Sequence, residues 1–256
     1  MARSAQLTPV VHGDIGAALY RVAEQFAPRV LALAEELAAV PAPTGDEQRR
    51  SDVVRGMMES LAFDEVETDE IGDVVGRMQG LSQEPRLLIA AHIDTVFRLS
   101  TPLRISSDAR RSYGPGIGDN CIGIAAVLLI PAMLEAAGIR PDVDLLITGN
   151  VGEEGLGNLR GMIAVMDAHP EIGAVIAVEG HNLGRVTHIA VGSLRYRITV
   201  EGPGGHSWGD FGKRNAIQAA AGIINELDEI DLPSSPKTTL NVGTVEGGIS
   251  VNTIAP

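Results

Sequence analysis

The sequence predicts an α/β protein with a mixed, largely parallel sheet flanked by helices, followed by a smaller α+β region that begins near residue 190. Two observations carry this. Three short apolar runs, Leu87 to Ala91, Val143 to Ile147 and Ala174 to Val178, alternate with helix-like segments over Ile122 to Ala137 and Gly157 to Ala168. That order is expected of strands buried on both faces and joined by crossover helices. From Leu194 the pattern changes to strict alternation, with Leu194, Tyr196, Ile198 and Val200 against Arg195, Arg197 and Thr199, which predicts a strand with one wet face.

In chain order, the alanine-rich opening from Ile15 to Val40 predicts two helices separated at Pro28. Thr44 with Glu47 three residues on forms a capping-box pattern, and Val53, Val54, Met57 and Leu61 place an apolar stripe on the helix that follows. The three buried runs and their helices come next. The small region adds a helix near Asn215 to Leu227 and a strand near Thr238 to Val245.

Composition narrows the function classes. Of 256 residues 45% are hydrophobic, enough for a substantial core, so the chain is not a disordered tail. The formal net charge of −13 argues against binding a nucleic-acid backbone or an anionic membrane. No run has the length to span a bilayer, and Met1 to Gln6 lacks the apolar stretch of a signal peptide, so a cytoplasmic setting is expected. The single cysteine, Cys121, has no partner for an internal disulfide and reads as a small buried residue.

Each buried run ends in groups that can hold a cation: His92 and Asp94 after the first, Glu153 and Glu154 beyond the second, Glu179 after the third. Ligands in open α/β sheets bind outside the carboxyl ends of the strands, so these segments can converge. Asp119 joins them from the glycine-rich turn Tyr113 to Asn120. Taken singly, each acidic residue reads as a solvated loop residue. Adjacent Glu153 and Glu154 are harder to dismiss, because neighbouring carboxylates repel unless solvent or a cation compensates them.

Ala91-His92-Ile93-Asp94-Thr95-Val96, Gly116-Ile117-Gly118-Asp119-Asn120, Glu153-Glu154-Gly155 and Gly204-Gly205-His206-Ser207 together resemble the motifs of one metallopeptidase family. It is the family of aminoacylase, acetylornithine deacetylase, succinyl-diaminopimelate desuccinylase, glutamate carboxypeptidase and tripeptide aminopeptidase. The resemblance implies a zinc exopeptidase-like fold, with a catalytic metal-binding domain over residues 1–189 and part of an inserted dimerisation or lid domain over 190–256. It implies two zinc ions, with cobalt or manganese also acceptable to such ligands. By position, His92, Asp119, Glu154 and Glu179 resemble the metal ligands, with Asp119 bridging, and Asp94 the carboxylate that orients His92. Glu153 falls on the general base. His206 resembles a residue supplied to a neighbouring active site, where it contacts substrate and stabilises the oxyanion, and Asn252 lies in a substrate-contacting segment. The substrates implied are short peptides, cleaved by an exopeptidase, or N-acyl amino acids, cleaved by a deacylase. The full-length protein is expected to be a homodimer that binds neither nucleic acid nor membrane.

The family pattern carries a further histidine ligand beyond the small domain, and this sequence ends at Ile254-Ala255-Pro256 before reaching one, so it reads as a fragment. His12, His169 and His188 read as ordinary histidines, and His181, two residues past Glu179, as a weak spare ligand. Three other readings stay open. Gly205-His206-Ser207-Trp208-Gly209 satisfies the nucleophile-elbow pattern of a serine hydrolase acting through Ser207. Gly114 to Gly123 has the glycine content of a nucleotide loop but neither the third fingerprint glycine nor a Lys-Ser/Thr ending. A non-catalytic metal-binding fragment is the third. Phe97, Arg98, Trp208 and Asp210 are candidates to border a substrate pocket, with loop packing as the plainer account.

Overall fold

A computed structural model describes residues 13–108, 111–180 and 184–256. It divides into two compact units between Thr187 and His188. The first unit opens with α1 (Asp14–Ala38) and α2 (Gln48–Glu59), then β1 (Glu65–Thr68), β2 (Val74–Met78) and β3 (Ser82–His92). A two-residue hairpin, β4 (Ser106–Ser107) with β5 (Ser112–Tyr113), precedes α3 (Ile122–Leu128) and α4 (Ile130–Ala136). The unit continues through β6 (Val143–Asn150), α5 (Arg160–Ala168) and β7 (Ile172–Ala177).

The five-stranded sheet has the order β1-β2-β6-β3-β7. β3 runs parallel to β6 and β7, whereas β2 is antiparallel to β6 and β1 to β2. The sheet is therefore mixed, with its parallel part where the sequence predicts it. Side chains alternate across β3. Ile89 and Ala91 enter one core with Leu37, Val54, Ile124, Leu128 and Ile147, while Leu88 and Ala90 enter a second with Val75, Leu146 and Val165. The first core is covered by α1, α2 and α3, the second by α5. Burying each large aliphatic side chain stabilises the layers by about 2 kcal/mol, so Ile147→Ala is a change that would open the sheet's centre.

Several sequence expectations need correction. α1 runs unbroken through Pro28. The proline is on an exposed side of the helix, where water can satisfy the Glu24 carbonyl that lacks an N–H donor. Thr44 and Glu47 form no capping box; α2 starts at Gln48 without a side-chain cap. The 122–137 helix is divided at Leu129, next to Pro131. β7 is not buried on both faces: it is an edge strand, with Val175 and Ile176 42% and 50% exposed.

The second unit contains β8 (Gly205–His206), α6 (Ala216–Asp228) and β9 (Thr253–Ile254), with β8 antiparallel to β9. Asn215 caps α6, its Oδ1 accepting the Ile217 N–H at 2.9 Å. The strands expected at 194–200 and 238–245 pair with nothing among the described residues. Alternation alone supplies a pleated surface, and a strand also needs a hydrogen-bonded neighbour.

Candidate metal centre

Register explains why distant residues meet. His92 stands opposite Asn150, and Ala90 stands opposite Ala177. The three parallel strands thus end at one level, and the residues just past each end, His92, Glu153, Glu154 and Glu179, share one sheet edge. Asp119 arrives on the irregular turn Ile117–Cys121, whose backbone leaves helical geometry at Asp119 (φ −140°, ψ 93°). Asn120 Nδ2 fastens that turn by donating to the Val178 carbonyl at 2.7 Å. Gly180 permits the approach, since a Cβ there would lie 1.7 Å from the Gly118 carbonyl oxygen.

His92 Nε2 lies 3.0 Å from Asp119 Oδ1 and 3.7 Å from Glu179 Oε2. His92 with Asp119 and Glu179, and His92 with Glu153 and Glu154, are two sets whose ligand atoms lie within 4.8 Å of one another. The opposite ring nitrogen, Nδ1, sits 3.1 Å from the Asp94 carbonyl oxygen and 3.4 Å from Asp94 Oδ1. An N–H at Nδ1 leaves the Nε2 lone pair toward the carboxylates, which is the tautomer a metal needs.

Asp94 is 0% exposed and organises the centre. Its Oδ1 accepts the Glu153 N–H at 3.0 Å, its Oδ2 accepts the Glu154 N–H at 3.0 Å, and Oδ2 also accepts the Thr44 hydroxyl at 2.8 Å. Burial pushes its carboxyl upward, but His92 and these donors outweigh that and hold it at about 2. Burial likewise disfavours a charged His92, yet Asp94 and Glu179 raise it to about 11. A proton there does what a cation would do. Glu153 and Glu154 are pushed up by burial, Glu153 also by the charges of Glu179, Asp94 and Asp119, and Glu154 also by those of Asp119, Glu153 and Asp94.

The donor set fits a divalent ion. One imidazole nitrogen and four carboxylates converge, and among the described residues no lysine or arginine pairs with Asp119, Glu153, Glu154 or Glu179. Like charges so arranged call for a compensating cation.

Beneath the centre lies Arg50, 1% exposed, its Nη1 donating to the Ile93 carbonyl at 2.7 Å. Arg50, Thr44, Asn120 and the buried Asp73, whose Oδ1 accepts the Val151 N–H at 2.7 Å, are the supporting residues that sequence reading misses. Glycine next to a buried apolar run hints at the turn, but nothing in the sequence pairs Thr44 with Asp94.

His206 and Asn252 lie in the second unit and are adjacent: the Ser207 N–H donates to the Asn252 carbonyl at 2.9 Å, and His206 stands opposite Thr253. His206 Nδ1 accepts the N–H groups of Trp208 and Gly209 at 3.2 and 3.3 Å, which leaves Nε2 to carry the proton of the neutral ring. Ser207 is no nucleophile elbow, because a two-residue strand precedes it and α6 begins only at Ala216. Asp119 faces His92, which removes the nucleotide-loop reading. His169 pairs with Glu67 and Glu171, each at 3.2 Å. His12 and His181 lie outside the described residues. Cys121 is buried, and burial raises its thiol, as expected of an inert side chain.

Residues 73–186 match the family model described as Peptidase family M28, and residues 190–256 match the one described as Peptidase dimerisation domain. Each part of the chain is thus similar to a peptidase family. It is 27% identical over 233 residues to a succinyl-diaminopimelate desuccinylase of Corynebacterium glutamicum, an alignment covering 88% of this chain and 62% of that protein. Among solved structures, a tripeptidase of Staphylococcus aureus superposes with a TM-score of 0.61 at 20% identity, over 89% of this chain and 63% of that one. A dipeptidase of Saccharomyces cerevisiae gives 0.60 at 12% identity, over 85% and 53%. These two likenesses establish the fold. The chain spans less than two thirds of the length of each of the three. No single helix among the described residues is long and apolar enough to cross a membrane.

Proposed function

We propose that this chain carries the catalytic part of a two-metal hydrolase that cleaves an amide bond in short peptides as an exopeptidase. The observation that carries the reading is the convergence of His92, Asp119, Glu153, Glu154 and Glu179 at one sheet edge, with Asp94 fixing both His92 and the Glu153-Glu154 backbone. His92, Asp119, Glu154 and Glu179 are the proposed ligands, with zinc the favoured metal and cobalt or manganese compatible with the same donors. Bound there, divalent ions supply Lewis acidity toward a water and the scissile carbonyl.

Glu153 takes the attacking water's proton and returns it to the leaving nitrogen. Its backbone is pinned by Asp94, which leaves its half-buried side chain free to serve as the base. Asp94 holds the His92 Nδ1 proton and so keeps Nε2 available. The His206 Nε2–H of a neighbouring chain donates to the carbonyl oxygen as negative charge develops, and Asn252 adds a substrate contact. A homodimer follows from the same reading, supported by the match of residues 190–256 to a dimerisation domain. Residues 1–189 form the catalytic part and 190–256 the dimerisation part. A cytoplasmic setting belongs to the proposal, supported by the free buried thiol of Cys121.

The desuccinylase relative favours a second reading, N-acyl-amino-acid deacylation by the same centre. Glu153→Gln tests the shared chemistry. Calorimetry should find metal affinity retained, while hydrolysis of di- and tripeptides and N-acyl amino acids falls by at least about a thousandfold; hydrolysis surviving the change would remove Glu153 from the mechanism.

A further inference from the structure

A groove of about 460 Å³ opens directly beside the acidic centre, lined by the turns at 43–45 and 155–157 and by residues 95–98. Its volume lies within the roughly 300–1,000 Å³ of sites that enclose a small organic ligand. Two lining residues adjoin the centre: Thr44 donates to Asp94, and Gly155 directly follows Glu154. The walls are apolar. Val96, Phe97 and Leu156 are 65%, 37% and 78% exposed beside it.

Arg98 is the single ionisable residue of the lining. Its guanidinium makes no ion pair among the described residues, whereas Arg77, Arg86 and Arg160 each pair with a carboxylate and buried Arg50 is held by backbone carbonyls. Arg98 therefore offers the groove an unclaimed, planar cation, which draws a ligand carrying a carboxylate.

We propose that Arg98 anchors a carboxylate of the substrate, with Val96, Phe97 and Leu156 covering the carbon chain between that carboxylate and the scissile amide. The substrate class is then an amide with an acidic tail, an ω-carboxyacyl compound or a peptide with an acidic residue. This rests on the metal centre proposed above.

The test is calorimetric binding to the zinc-loaded chain of paired metal-chelating probes of equal length that differ only in tail charge. Monohydroxamates of succinic, glutaric and adipic acids are compared with the matching neutral alkyl hydroxamates. A second arm places the carboxylate on the amine side, with N-formyl-N-hydroxy-β-alanine against N-formyl-N-hydroxypropylamine. The expected result is about a tenfold preference for the anionic tail in one arm, which also tells which half of the substrate carries the acid. Arg98→Ala should abolish that preference and Arg98→Glu reverse it. Tight but equal binding of charged and neutral tails, or a preference that survives Arg98→Ala, would overturn the role of Arg98 and leave the metal centre standing. Failure of every hydroxamate to bind would overturn the metal centre and this anchor with it.

Discussion

On its inner side the centre is closed by hydrogen bonds: His92 and Asp94 are 3% and 0% exposed, and every oxygen of the Asp94 carboxylate is engaged. On its outer side the side chains of Asp119 and Glu179 are 51% and 43% exposed, and among the described residues their ion pairs are with His92. The inner shell is assembled by folding, because groups buried at the end of a central strand must find partners. The outer carboxylates are carried by turns, where water tolerates them singly and a cation is needed to draw them together. The difference separates orientation, which the fold supplies, from affinity, which the exposed carboxylates supply.

The sharpest way to break this division is Asp94→Ala. It orphans the Glu153 and Glu154 N–H groups and the His92 ring, so a loss of about 3–5 kcal/mol in urea unfolding is expected together with loss of metal binding. Gly180→Ala attacks the outer side alone. The new Cβ collides with the Gly118 carbonyl and displaces the Asp119 turn, so we expect a stability loss of about 2–3 kcal/mol and weakened metal affinity by calorimetry, with the Asp94 network intact.

Asp73 offers a titratable handle on the inner side. Burial, then its hydrogen bond to Asp69 and that residue's charge, raise its carboxyl from 3.8 to about 7, against the Val151 N–H and Arg160. The fold therefore favours the protonated form, and the stability this gives is complete below about pH 4 and lost as pH rises through about 7. Asp73→Asn keeps an acceptor for Val151 and a donor for Asp69. Urea midpoints should then lose a pH slope of up to about 1.4 kcal/mol per unit across that window. Thr44→Val, the smallest change, removes one hydroxyl from Asp94 and should lower stability by about 1 kcal/mol in the same assay.

The sequence made the outer side legible and left much of the inner side hidden. His92, Asp119, Glu154 and Glu179 follow apolar runs or a glycine-rich turn, and parallel strands necessarily bring such positions to one edge. Thr44 was misread as a helix cap because a hydroxyl three residues before a glutamate has the same pattern whether it caps a helix or reaches Asp94, fifty residues away. Arg50 and Asp73 look like surface charges until burial is known. Pro28 misled for the opposite reason: local propensity ends a helix there, and tertiary packing on the other face carries it through. In the second unit alternation marked 194–200 and 238–245, which pair with nothing among the described residues.

The most direct test of the central claim is a calorimetric titration of the chelator-stripped chain with cobalt(II), read alongside the visible spectrum of the bound ion. Saturable binding with a nitrogen- and oxygen-ligated spectrum is expected, weakened at least about tenfold by Asp119→Asn and by Glu179→Gln. Because both side chains are exposed, each variant should keep the thermal unfolding profile of the stripped parent. Binding absent from the parent, or unchanged in both variants, would contradict a metal centre at this sheet edge.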